Sequence, residues 1–126
     1  KDEGKDAFSN PFELKSALAF GALYAVILVG SKAAEMYLGT AGLYASAIAS
    51  GLADVDAVTL SMAELSKPGG SVSLDTAATA VALAAASNTV VKGGIVVATG
   101  AAAMKKAILP GTGLVLAAML GVALLV

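Results

Sequence analysis

The sequence predicts an all-α, polytopic membrane protein with four transmembrane helices, the second and third interrupted mid-membrane. Three observations carry this. The 126 residues are 58% hydrophobic and only 13% charged, with mean hydropathy +0.86. A soluble domain carries about 25% charged residues, and so small a globule needs polar groups over most of its surface. The uncharged runs Ser16–Ser31, Met36–Ala53, Thr76–Val91 and Ala107–Val126 have spanning length, roughly 20 residues at about 1.5 Å each. Polar residues then fall near the centres of the second and third spans, at Asp54, Asp56 and Ser87–Lys92.

Punctuation places each element. Residues 1–9 are a polar tail, and 10–126 form a single four-helix transmembrane domain. In "NPFE" Asn10 suits a cap, Pro11 the first helical position, and Glu13 the position that reaches back to the cap. The first helix runs from Pro11 to Leu38, with Gly39 as its stop. The second runs from Ala41 to Ser66 and ends at the "KPGG" loop. Ser73 caps the third, with Asp75 in its first turn, and the helix reaches Ala103. "LPGTG" at 109–113 starts or kinks the fourth. Four spans put both termini on one side. Lys1, Lys5, Lys15 and Lys67 then face Lys32, Lys105 and Lys106 across the bilayer, too even a split for the positive-inside rule to set an orientation. A partner or upstream helices could set it, or the chain could form an antiparallel, dual-topology dimer.

An Asp at a helix centre costs roughly 2.5–3.5 kcal/mol to insert, so Asp54 and Asp56 cannot be left against acyl chains. Two positions apart, they point about 200° apart in an unbroken helix. A break resolves the conflict: Gly51 makes it cheap, and Asp54 caps a half-helix that starts at Val55. A similar interruption is expected at "SNTVVKGG", 87–94, where Lys92 finds Asp54 or Asp56 as its partner. The expected polar site is therefore Gly51, Asp54, Asp56, Ser87, Asn88, Thr89 and Lys92, with Thr59 and Ser61 more remote. Asp54 and Asp56 are the candidate metal ligands, and Asn88, Thr89 and Ser87 add neutral oxygens suited to a hard cation.

Other functions fit less well. A net charge of −1 gives no footprint for nucleic acid. Without Cys or His, the usual zinc, haem and thiol chemistries are absent, and no residue set for an intramembrane enzyme stands at helical spacing. No cofactor is expected beyond a bound cation. Two alternatives stay open. The Asp–Lys network could be purely structural, in a module that assembles with or regulates another membrane protein. Lys92 with half-helix N-termini could instead serve an anion channel.

The segments "NPFELKSALAFGALYA", "AGLYASAIASGLADVDAVTLSMAEL" and "SNTVVKGG" together resemble the membrane domain of unknown function at the C-terminus of MgtC/SapB-family proteins. The resemblance covers residues 10–126, most specifically "GLADVDAVTLS" and "SNTVVK". It implies a multi-pass protein of the prokaryotic inner membrane, with an association to magnesium homeostasis and transport. It also implies an upstream set of helices, so that this sequence is either an excised half or a small relative that replaces the missing half by dimerising. The combined expectation is an ion transporter or channel domain for a small cation, working in the lipid bilayer as a homo-oligomer.

Overall fold

The computed structural model describes residues 11–125, so the 1–9 tail and the Asn10 cap lie outside the described residues. Among the described residues the secondary structure is helical: α1 (Pro11–Gly51), α2 (Val55–Leu65), α3 (Leu74–Thr99) and α4 (Ala102–Leu125). Three of these, α1, α3 and α4, are long and apolar enough to cross a membrane.

The α1 stretch is not one rod. Gly39 sits at φ 71°, ψ −155°, a conformation open to glycine and costly for residues with a Cβ. A straight helix would hold residues 15 apart at about 22 Å, yet the Ser31 and Ser46 hydroxyls share a 3.0 Å hydrogen bond. The chain therefore reverses at Gly39 into two arms, 11–38 and 40–51. The boundary matches the stop read from the sequence.

The second predicted helix, Ala41–Ser66, is divided. The arm 40–51 ends at Gly51, and α2 begins at Val55 behind Asp54. Moreover, α2 does not continue the line of the arm. Because Ser46 lies beside Ser31, Gly51 lies near the level of residue 26, and a rod continuing to Leu65 would reach the level of Phe12. Glu64, Leu65 and Ser71 instead share a groove with Leu28, Lys32 and Tyr37. Thus α2 doubles back toward the Gly39 turn.

The third helix corrects an expectation, because α3 runs unbroken through 87–94. Its polar residues find acceptors without opening the helix. Thr89 Oγ1 donates to the Ala85 carbonyl at 2.8 Å, and Ser87 Oγ to that of Ala84 at 2.9 Å. Ser73 caps the N-terminus, accepting from Thr76 N at 3.2 Å. The helix stops at Thr99 rather than Ala103, with Gly100 as its C-terminal cap. Pro110 lies inside α4, which begins well before it, at Ala102. The ring removes one backbone donor, so the carbonyl one turn back loses its helical partner.

Asp54 and Asp56 lie beside Asn88 and Lys92, while Met62 and Ser66 lie beside Ala77 and Leu74, so α2 is antiparallel to α3. In turn α4 is antiparallel to α3: Met119 touches Thr89, and Thr112 approaches Gly93. Of the other helices, α4 packs on α3 alone. The core is small and lopsided. Leu43, Ala47, Ala57, Val58, Met62, Ala80 and Ala84 are at most 1% exposed, whereas Pro11–Ala22 are all exposed and α4 buries nothing. Leu114 at 73% and Leu124 at 87% exposure suit acyl chains rather than water. This is a membrane protein.

Candidate functional site at the helix break

A broken helix leaves orphan carbonyls at one end and orphan N–H groups at the other, and in lipid each needs a partner. The sequence supplies them locally. Asp54 Oδ1 accepts from Asp56 N at 2.8 Å and Ala57 N at 3.2 Å, capping α2. On the other side of the gap, the Ser50 carbonyl accepts from Ala53 N at 3.0 Å and Asp54 N at 2.9 Å. The remaining partners come from α3: Ser87 Oγ donates to the Ile48 carbonyl and Asn88 Nδ2 to that of Gly51, both at 2.9 Å. Contact this close requires Gly51. A Cβ there would strike the Ala84 carbonyl and sit 2.6 Å from Ser87 Oγ.

A pocket of about 190 Å³ opens at the break, lined by Ala53, Asp54, Val55, Asp56, Asn88 and Lys92. Four of the expected site residues therefore come together: Asp54, Asp56, Asn88 and Lys92. Ser87 and Gly51 belong to the packing behind them. Thr59 and Thr89 do not reach the pocket, since their hydroxyls donate to Val55 and Ala85 carbonyls of their own helices. Ser61 is buried and likewise donates back, to Ala57.

The expected Asp–Lys92 ion pair is absent. An ammonium–carboxylate contact forms instead between Glu64 and Lys67, 2.6 Å apart at the exposed end of α2. There the Glu64 hydrogen bond and charge hold the Lys67 ammonium above its ordinary pKa. Lys92 is exposed and shares the pocket without closing on either aspartate. No group of three or more acidic side chains gathers among the described residues, so a cation here would be held by at most two carboxylates, supplemented by amide, backbone or water oxygens.

The sequence reading missed what Ser87 and Asn88 do. They read as an interruption of their own helix, whereas they close the interruption of a neighbour. Asn88→Ala is expected to cost about 1–3 kcal/mol, because it strands the Gly51 carbonyl. Thermal unfolding in micelles checks this against Val90→Ala, at an exposed position on the same helix. An Asn88→Ala protein that melts with wild type would show that the cap contributes nothing.

Helices of spanning length around a polar helix break define the chain as a membrane-domain protein. Residues 1–100 match the family described as "Domain of unknown function (DUF4010)", and the chain belongs to that family. It is 35% identical over 105 residues to an uncharacterized protein of Aquifex aeolicus, covering 83% of this chain and 45% of that relative. The chain thus spans a little under half the length of the relative it matches. No solved structure matches it.

Proposed function

We propose that this chain is an ion-transport domain for a small cation in the inner membrane of a prokaryote, working as a homo-oligomer without a cofactor. The observation that carries the reading is the helix break, where Asp54 and Asp56 line one pocket with Asn88 and, among the described residues, no ammonium group closes on the carboxylates. Ionisable groups at membrane depth are expensive and usually mark ion paths, and broken helices commonly carry the site in transporters. The resemblance to the MgtC/SapB-associated domain points the same way. Oligomerisation is supported by the small one-sided core.

One observation favours the assembly-module alternative: Asp54, Ser87 and Asn88 all serve as helix caps. The anion-channel alternative loses support, because the N-terminus of α2 that would greet an anion already holds the Asp54 carboxylate. Flux in liposomes against a panel of mono- and divalent cations tests the proposal. Cation-selective flux that Asp54→Asn/Asp56→Asn abolishes supports it, while a well-assembled wild type without flux for any cation overturns it.

A further inference from the structure

We propose that residues 40–65 form a re-entrant helical hairpin, so that the chain crosses the membrane three times and the pocket at its tip opens toward the face where α3 ends. The hairpin enters beside the Gly39 turn, carries Asp54 to about mid-depth and returns to the face it came from. This holds whatever the pocket binds.

Direction is the first argument. The arm 40–51 runs away from Gly39, and α2 returns until Glu64, Leu65 and Ser71 meet Leu28, Lys32 and Tyr37. Length is the second. The arm rises about 18 Å, little more than half the roughly 30 Å hydrocarbon core. Helices long and apolar enough to cross are α1, α3 and α4, and in α1 the arm 11–38 supplies that length.

Burial is an independent third. A hairpin that stops at mid-depth packs one half of the bilayer and leaves the other empty. The buried residues run from Ile27 to Ala86, with none in Pro11–Ala22 and none in α3 beyond Ala86. Beneath the tip only sparse helix remains, and Lys92 stands at that edge of the pocket. The site therefore faces the side of Ala101.

Charge is the fourth. With three crossings, Lys15 shares a face with Lys105 and Lys106, and Lys1 and Lys5 precede it in the sequence. Lys32 and Lys67 are left on the other. The near-even split of the four-span reading becomes a clear bias, and the positive-inside rule sets the Ala101 face in the cytoplasm. Residues 11 and 125 then lie on opposite faces, which replaces the expectation of a shared one.

The chain has no cysteine, so paired cysteines test the topology directly. Thr40 and Ser71 are exposed. A Thr40→Cys/Ser71→Cys protein in sealed vesicles is treated with a membrane-impermeant maleimide, quenched, and weighed intact. Two labels or none on each chain is the expected result, whichever way it inserted. One label on each chain means that residues 40 and 71 lie on opposite faces, which overturns the hairpin. Ala41→Cys in place of Thr40→Cys gives the same readout should the first variant fail to assemble. For the pocket, Asp56→Cys/Ala101→Cys is expected to take two labels or none, and a label at 101 alone overturns the opening toward that face. None of these outcomes depends on flux, so the topology and the transport reading fail separately.

Discussion

Gly51→Ala is expected to unfasten the helix break from α3 and to be among the most destabilising single-methyl changes in the chain. In an ordinary helix Ala in place of Gly gains close to 1 kcal/mol. Here the added Cβ would strike the Ala84 carbonyl and lie 2.7 Å from Ala84 Cα. Both are backbone atoms, so no rotamer can yield, and the helices must part. Overpacking of this kind costs typically 1–3 kcal/mol. The separation would also stretch the hydrogen bonds from Ser87 to Ile48 and from Asn88 to Gly51, which places the total at or above the upper end, about 3 kcal/mol. Gly30→Ala is the internal control, since its Cβ meets nothing within 4 Å and only the helix gain remains. Opposite shifts in melting temperature for the two variants are the expected measurement. Equal shifts would mean that Gly51 is present for some reason other than close packing.

Gly51 also shows how far this fold can be read without coordinates. A glycine followed by Asp three residues later, inside an apolar run, signals a stop and a new cap, and the chain leaves one helix at Gly51 and starts another behind Asp54. Gly39 was legible for the same kind of reason: a glycine at the end of a long apolar helix offers a left-handed turn. What such signals lack is direction. A break says nothing about whether the next helix continues or returns, and the groove joining Glu64 and Leu65 to Leu28 and Lys32 arises from packing between residues more than thirty positions apart.

The polar triplet 87–89 departs from the expected break for a related reason. Ser, Thr and Asn at mid-helix are consistent with a break, but each can also serve a carbonyl, its own helix's or a neighbour's. Ser87 and Thr89 serve carbonyls of α3, and Ser87 and Asn88 also serve the ends left open at Ile48 and Gly51. The need for donors was written at 48–51, and the donors were written at 87–88. Only the tertiary approach of the two helices connects them. The lysine followed the same pattern: charge complementarity pointed Lys92 at the aspartates, and the structure brings it to their pocket without a direct pair.

Asp54 has two jobs that substitution can separate, and the largest functional effect is expected where they part. As an N-cap its Oδ1 accepts from Asp56 N and Ala57 N; as a carboxylate it brings charge to the pocket. Asn caps a helix about as well as Asp, so Asp54→Asn keeps the first job and loses the second. Its stability cost is confined to the interaction of the charge with the helix dipole, about 0.3–1 kcal/mol. If the carboxylate holds a cation, losing a charged partner is worth about 1.5–3 kcal/mol, or roughly tenfold to more than a hundredfold in occupancy, and flux is expected to fall accordingly. Asp54→Ala loses both jobs, adding the cap penalty of about 0.5–2 kcal/mol. The pair of variants thus gives a pattern rather than a single loss. Near-normal melting with collapsed flux in Asp54→Asn assigns the charge to transport. Normal flux in Asp54→Asn, with weakened folding in Asp54→Ala, reduces Asp54 to a structural cap. The pocket would then be what remains where one helix ends and another begins, and the assembly-module reading would take over.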